Sequence, residues 1–212
     1  MIIVLFGKPG GGKGTQAPLL AAALDVPTLA TGDELRAAVR DRTPMGLAAK
    51  AAMERGELVP DAVILGILKD ALSGPRFAKG AVLDGVVRTV PQAEGLNRML
   101  GELGRKLDAV LYFDIADDVL VQRLSGRTVC EKCQTPYQGR EPGTACDRND
   151  GGKLVRRKDD EPEAVRNRLQ VYERDTAPVL AWYRGNGVPV KTVDAVGSVA
   201  DVTRRALQAV GL

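Results

Sequence analysis

Histidine is absent from the 212 residues of this sequence, and its absence excludes several kinds of catalytic site. A Ser-His-Asp triad, a histidine general base and a histidine metal ligand all require the imidazole ring. Any enzyme built from this chain must therefore work by positioning its reactants and by charge.

Long apolar runs are also missing, and the charges are nearly balanced. No segment approaches the roughly 20 apolar residues that span a membrane, and a strand expected to begin at Ile2 leaves no room for a signal peptide. A formal net charge of +3 is too small to imply a nucleic-acid partner by itself. With 44% apolar and 27% charged residues, we expect a globular protein of the cytoplasm.

The sequence does have a glycine-rich loop directly after an apolar run at Ile2–Phe6. Its glycines let the backbone approach a polyphosphate, a lysine adds positive charge, and the next helix directs its N-terminus at the same anion. A turn without a ligand would need neither the lysine nor so many glycines. This pattern predicts a nucleotide-binding P-loop made by Gly10, Gly11, Gly12, Lys13, Gly14 and Thr15. Because Gly14 stands where the usual P-loop has Ser or Thr, we expect magnesium handling unlike that of GTPases.

Apolar runs alternate with helical patterns along the chain, which indicates an α/β fold with a doubly wound parallel sheet. The expected strands are Ile2–Phe6, Ala81–Leu83, Val110–Phe113 and Val188–Val193. Helices are expected from Gly32 to Arg40 behind a Thr31–Glu34 capping box, from a cap at Asp61, and from Pro91.

Two interruptions, at residues 30–59 and 127–160, predict insertions at the ligand-binding edge of the sheet. The core is then made of residues 1–29, 60–126 and 161–212. The first insertion is short and helical, and the second is rich in Gly, Pro, Cys and charge.

Asp84 ends an apolar strand, where P-loop enzymes hold magnesium and its water opposite the phosphates. A turn aspartate at a strand end is the alternative. With a P-loop in the same chain, we favour the magnesium role.

Arginines at helical spacing indicate a site that stabilises transferring phosphate. Arg123 and Arg127 are expected to share one helix face with Leu120 and Leu124. Arg168 shares a face with Val165, Leu169 and Tyr172, whereas Arg166 falls outside that face and is expected in solvent. Arginine stems covering apolar surface are the alternative interpretation.

All three cysteines lie in the second insertion, as Cys130-x-x-Cys133 followed by Cys146. In a reducing compartment, zinc at such a motif stabilises a loop that has no core. Asp150 is the best fourth ligand, since Asn149 is a poor ligand and Asp147 is close to Cys146. Free thiols or a labile disulfide are the alternative.

Together these features resemble the adenylate kinase family, in its bacterial form with a metal-bearing lid, over nearly the whole chain. Besides the P-loop and the cysteines, the resemblance rests on Thr31-Gly32-Asp33 with Arg36, Leu58-Val59, Asp84-Gly85 with Arg88-Thr89, Gln92, Gly126-Arg127, Tyr137, Arg157-Lys158-Asp159-Asp160 and Arg168.

The resemblance implies phosphoryl transfer from ATP to AMP giving two ADP, with Mg²⁺ on the nucleotide and structural Zn²⁺ in the lid. It implies a monomer without nucleic-acid or membrane partners. The implied catalytic residues are Lys13, Asp84, Arg88, Arg123, Arg157 and Arg168. ATP would contact the P-loop, Arg127, Pro136, Tyr137 and Gly197. AMP would contact Thr31, Arg36, Glu57, Leu58, Val59, Gly85, Arg88, Gln92, Arg157 and Arg168.

Two departures from the family pattern bear on the site. Val86-Val87 stands where the family usually has Phe-Pro, and Lys8 replaces a small apolar residue and adds charge to the P-loop.

Two other functions stay open. A kinase for another nucleoside monophosphate would need few changes in the base pocket. Alternatively, the cysteine segment with Lys153, Arg156, Arg157 and Lys158 would be a nucleic-acid-binding ribbon on an ATPase core, although Tyr137 is its only aromatic residue for base stacking.

Overall fold

The computed structural model describes all residues from 1 to 212 and contains eight strands. These are β1 (Ile2–Phe6), β2 (Thr28–Ala30), β3 (Ala81–Asp84), β4 (Ala109–Asp114), β5 (Arg127–Cys130), β6 (Pro136–Gln138), β7 (Leu154–Val155) and β8 (Val190–Asp194). Five of them form a parallel sheet in the order β2-β3-β1-β4-β8. The remaining three form a small antiparallel sheet in the order β6-β5-β7.

Nine α-helices connect these strands, and none is long and apolar enough to cross a membrane. They are α1 (Lys13–Leu24), α2 (Thr31–Arg40), α3 (Pro44–Arg55), α4 (Asp61–Leu72), α5 (Val90–Glu102), α6 (Asp117–Ser125), α7 (Pro162–Val171), α8 (Pro178–Gly185) and α9 (Val199–Ala209). Two short 3-10 helices lie at Pro75–Phe77 and Lys158–Asp160, and a π-helical turn follows α7 at Tyr172–Thr176.

Alternate residues of β1 face opposite sides of the parallel sheet, and each side has its own core. Val4 and Phe6 belong to a cluster of 24 buried residues, whereas Ile3 and Leu5 belong to a cluster of 15 on the other side. Burying such a side chain contributes about 1.5–3 kcal/mol. The doubly wound fold is therefore confirmed, and its central strand holds the loop that follows it in a fixed position.

All four predicted strands belong to this sheet, but the fifth, β2, was not predicted. It has only three residues, and Thr28 and Ala30 are half-buried, so it lacks a long apolar run. Hydrogen bonding to β3 holds this segment as a strand, although its sequence has no strand pattern.

Two capping predictions are wrong. Thr31 is the first residue of α2, with Ala30 at the N-cap position, and its hydroxyl donates to the Gly85 carbonyl at 3.1 Å instead of capping the helix. Asp61 is the first residue of α4, and its carboxylate accepts hydrogen bonds from Thr89 and Gln92. In both cases a bond to a distant part of the chain replaces the expected local one. Thr89 does cap α5, since its side chain accepts from the Gln92 amide.

The prediction that Arg123 and Arg127 share one helix face is also wrong. Helix α6 ends at Ser125, and Arg127 is the first residue of β5. Arg123 in α6 and Arg127 in β5 nevertheless line the same cavity.

Candidate active site

The loop between β1 and α1 has the backbone of a phosphate cradle. Gly10 and Gly12 have φ angles of 84° and 90°, which residues with side chains rarely adopt. A Cβ at Gly7 would lie 2.6 Å from the Phe113 carbonyl, so the loop approaches β4 too closely for any side chain. Lys13 Nζ donates to the carbonyls of Gly7 and Lys8 at 2.7 and 2.9 Å. The lysine is thus held at the centre of the loop that it follows.

Asp84 lies opposite this lysine at the end of the neighbouring strand. A Cβ at Gly14 would lie 3.3 Å from Asp84 Oδ2, closer than ordinary van der Waals contact, so the carboxylate accounts for glycine after the lysine. Burial lowers the pKa of Lys13 to about 8, opposed by Asp84 and assisted by Arg88. Burial also raises the pKa of Asp84 above its usual range. Such shifts in a cleft are typical of functional groups.

A cavity of about 500 Å³ extends from the P-loop toward β5 and β6. The predicted nucleotide residues that line it are Gly10, Gly11, Gly12, Lys13, Gly14, Thr15, Arg127, Pro136, Tyr137 and Gly197. It is also lined by Asp84 and by five further predicted arginines, Arg36, Arg88, Arg123, Arg157 and Arg168. The structure therefore brings together every residue predicted for the P-loop nucleotide.

A second, smaller pocket adjoins the first and contains the residues predicted for the monophosphate. Its lining includes Thr31, Arg36, Glu57, Leu58, Val59, Gly85, Arg88, Gln92 and Arg168. Of the predicted set only Arg157 is missing here, and it lines the larger cavity. Because Arg36, Arg88 and Arg168 line both spaces, the two pockets meet at a group of positive charges.

The side chains of these pocket residues are not all directed inward. The Glu57 carboxylate binds the Arg55 guanidinium at 2.8 Å and is exposed, so only its backbone or stem contributes to the lining. Val86 and Val87, which depart from the family pattern, are fully or almost fully buried. Val86 lines the smaller pocket.

Three carboxylates for which the sequence predicted no role hold the arginines in place. Asp160 binds Arg127, with Nε donating to Oδ2 at 2.7 Å, and it also accepts from Arg168 at 3.2 Å. Asp159 lies 3.1 Å from Arg168, and Asp33 contacts Arg36 and Arg157. The sequence Arg157-Lys158-Asp159-Asp160 contained this signal, since two acidic residues directly after two basic ones, in an arginine-rich chain, indicate ion pairs.

Two arginine nitrogens in this group have no partner. Arg36 Nε and Arg157 Nε are buried and donate to no protein atom. Because buried donors are normally satisfied, these nitrogens indicate that the site is built for an additional acceptor.

The predicted difference between Arg168 and Arg166 is confirmed. The Arg168 side chain is 17% exposed and lies at the junction of the pockets, whereas Arg166 is exposed on the outer side of α7. Arg123 Nη2 donates to the Ala195 carbonyl at 3.0 Å, which links α6 to the segment before Gly197.

We expected Lys8 to add positive charge to the P-loop, but its charge is paired with two carboxylates. Its ammonium binds Asp117 at 2.8 Å and Glu173 at 2.7 Å. Partial burial lowers the pKa of Lys8, but the hydrogen bonds with Asp117 and Glu173 outweigh it and raise the pKa to about 12. The positive charge is therefore paired and directed away from the cleft.

The predicted metal ligands Cys130, Cys133, Cys146 and Asp150 come together, with all four ligand atoms within 4.8 Å of one another. The Cys133 and Cys146 sulfurs lie 3.7 Å apart, and Cys130 Sγ lies 3.2 Å from Asp150 Oδ2. Two backbone amides donate to Cys130 Sγ. Three thiols and a carboxylate at these separations suit a tetrahedral zinc ion.

The residues around the cysteines explain why Asp147 is not among the converging groups and why position 152 is a glycine. Asp147 binds Arg140 instead of facing the cluster, so it is not among the four converging groups. A Cβ at Gly152 would lie 2.5 Å from Cys130 Sγ, so this position requires glycine.

Comparison with known proteins agrees with this geometry. The adenylate kinase family model matches residues 5–188. An adenylate kinase of Gemmatimonas aurantiaca is 62% identical over 99% of this chain and 98% of its own length. Adenylate kinases of Syntrophotalea carbinolica and Staphylococcus epidermidis are 43% and 44% identical, covering 100% and 96% of this chain and 99% and 95% of their own lengths. The chain therefore belongs to the adenylate kinase family.

Proposed function

We propose that this protein catalyses the reversible transfer of a phosphoryl group from ATP to AMP, giving two molecules of ADP. The observation that carries the proposal is the meeting of two adjoining pockets at Arg36, Arg88 and Arg168. Two nucleotides placed there would face each other through their phosphates, across charges that attract both.

In this proposal the larger cavity takes ATP. Lys13 would exchange the carbonyls of Gly7 and Lys8 for the phosphates, and the loop amides would cradle them. The adenine would lie between Arg127 with Pro136-Tyr137 on one side and Gly197 on the other. Asp84 would hold the water of Mg²⁺, which neutralises phosphate charge when bound.

The smaller pocket takes AMP. Arg36 and Arg88 would bind its phosphate, while Thr31, Leu58, Val59, Gly85 and Gln92 would surround the nucleoside. Because the acceptor is an ionised phosphate oxygen, it needs no general base, which agrees with the absence of histidine.

During transfer, an oxygen of the AMP phosphate bonds to the γ-phosphorus of ATP, and the bond from that phosphorus to the β,γ-bridging oxygen breaks, so that this oxygen leaves as a terminal oxygen of ADP. Arg88, Arg123, Arg157 and Arg168 would stabilise the charge that spreads over the transferring group. Asp33, Asp159 and Asp160 now hold some of these arginines. Phosphate oxygens would compete with these carboxylates, which would couple nucleotide binding to rearrangement of the site.

The proposal includes the division into a core, a monophosphate-binding insertion at residues 30–59 and a lid at 127–160. Contacts between the insertions include Lys158 with Glu54 at 3.0 Å and Arg157 with Asp33 at 3.7 Å. Closure of such segments over the nucleotides would exclude water from the reaction. A structural Zn²⁺ held by Cys130, Cys133, Cys146 and Asp150 would stabilise the lid and would leave no open position for substrate.

The test is turnover with ATP and a panel of monophosphates, AMP, GMP, CMP and UMP, followed by separation of the products. We expect ADP formation that depends on AMP, and a loss of most turnover in Lys13→Ala and Arg88→Ala, whose folds are checked by circular dichroism. Preference for another monophosphate would show that the acceptor is that nucleotide and not AMP. DNA binding that weakens with salt, without AMP-dependent turnover, would favour the nucleic-acid alternative. A monomer is expected in analytical ultracentrifugation.

A further inference from the structure

The side-chain amide of Gln92 is held at both ends by groups that accept only one orientation. Its Nε2 donates to Asp61 Oδ1 at 2.7 Å, and its Oε1 accepts from the Arg88 backbone amide at 2.7 Å. An ionised carboxylate can only accept a hydrogen bond, and a backbone N–H can only donate one. Rotating the amide by 180° would therefore place the Gln92 oxygen against the Asp61 carboxylate and the Gln92 NH₂ group against the Arg88 N–H, so both hydrogen bonds would be lost.

Thr89 makes this arrangement more specific. Its hydroxyl oxygen accepts from the Gln92 backbone amide at 3.3 Å, so its proton is available to Asp61, to which it donates at 3.0 Å. Asp61 Oδ1 thus receives two donors, one from each residue. Gln92 is only 1% exposed, so loss of these partners would leave its amide poorly hydrated.

One donor and one acceptor of the Gln92 amide are left for a ligand, because the group has two N–H donors and two lone pairs. Gln92 lines the smaller pocket, whereas Asp61 does not. The base edge of adenine offers an acceptor at N1 and a donor at N6, which matches the remaining N–H and lone pair. Hypoxanthine offers the opposite pattern, a donor at N1 and an acceptor at O6.

We propose that Asp61 is a positioning residue for base selectivity, which fixes the Gln92 amide in the orientation that accepts adenine and rejects 6-oxopurines. The inference rests on the proposed function, since it takes the smaller pocket as the site of the acceptor base. Asp61 acts through Gln92 and touches no substrate. IMP would have to bind either with its edge unpaired or with the amide turned against Asp61.

The experiment compares kcat and KM for AMP and IMP, with ATP as the donor, in the wild type and Asp61→Asn. Asparagine keeps the shape but can turn and donate to Gln92, so the rotated amide regains one partner. We expect the ratio of kcat/KM for AMP to that for IMP to fall about tenfold, chiefly through KM. Asp70→Asn is the matched control, because Asp70 is exposed on the same helix and makes no side-chain hydrogen bond. Its ratio should equal that of the wild type.

Asp61→Leu provides a second variant, in which the Gln92 amide loses its acceptor. We expect a higher KM for AMP at nearly unchanged kcat, whereas a merely structural role would lower the melting temperature and leave the AMP to IMP ratio unchanged. An unchanged ratio in either folded variant overturns the proposal.

The wild type alone provides a test that does not depend on folding of a variant. It should prefer AMP over IMP by at least about a hundredfold, since a site built for one hydrogen-bond pattern rejects its inverse. Comparable turnover of AMP and IMP overturns the role of Asp61 and leaves the kinase function intact. Absence of ADP formation from ATP and AMP would instead contradict the proposed function.

Discussion

Arg168→Ala is expected to remove most of the catalytic rate, whereas Arg166→Ala leaves it nearly unchanged. Arg168 lies where the two pockets meet, and loss of one preorganised donor to a transition-state oxyanion costs about 2.7–4 kcal/mol, or 10²–10³ in kcat. Arg166 lies two residues away on the same helix with its side chain in solvent. Steady-state ADP formation with both nucleotides saturating measures the effect on kcat directly.

Stability provides the second measurement on this pair. Without Arg168, Asp159 loses its 3.1 Å partner, while Asp160 keeps Arg127. We expect the free energy of unfolding to fall by about 1–3 kcal/mol in Arg168→Ala and by less than about 0.5 kcal/mol in Arg166→Ala. Urea denaturation followed by circular dichroism measures both. Equal losses of kcat in the two folded variants would refute the assignment of α7 faces on which this reasoning depends.

Three further predictions concern other parts of the site. Because the pKa of Lys13 is lowered to about 8, its charge is lost as pH rises through 8, and kcat/KM for ATP should fall about fivefold from pH 8 to pH 9; Lys13→Arg should remove this pH dependence from whatever activity it retains. Chelation of zinc, or Cys133→Ala, should lower the melting temperature more than it lowers kcat at moderate temperature, and zinc-free protein with three titratable thiols would eliminate the metal site. Val86→Phe with Val87→Pro should lower KM for AMP about two- to tenfold and leave KM for ATP unchanged; an unchanged KM for AMP would show that the backbone has adapted to the two valines.

The parallel sheet and the P-loop could be predicted because their signals are local. Continuous apolar runs such as Ile2–Phe6 predict buried strands, and glycines around Lys13 predict the cradle. Arg168 was also predictable, since a regular helix repeats every 3.6 residues and thus separates it from Arg166. The same argument failed for Arg127, because helix α6 ends at Ser125 before the repeat is complete.

Residues whose roles depend on distant partners could not be assigned from spacing. Thr31 and Asp61 have the local pattern of helix caps, but their side chains bond instead to Gly85 and Gln92, which lie more than 25 positions away along the chain. The role of Asp160 likewise depends on its ion pair with Arg127, which is 33 positions away along the chain. No periodicity encodes such pairs, because the parallel sheet alone brings the ends of these segments together.

The ion pairs of Lys8 connect the P-loop to the segments on both sides of residues 127–160. Asp117 begins the helix that leads into residues 127–160, and Glu173 follows the helix that leads out of them. The carbonyl of Lys8 also accepts from the Lys13 ammonium, so displacement of either helix would move the backbone that holds Lys13. Although partial burial lowers the pKa of Lys8, hydrogen bonds with the two carboxylates raise it to about 12, so its ammonium stays charged at neutral pH. Both carboxylates are exposed, so salt weakens these ion pairs, and we expect residues 127–160 to move relative to the core more readily as ionic strength rises from about 0.01 to about 1 M.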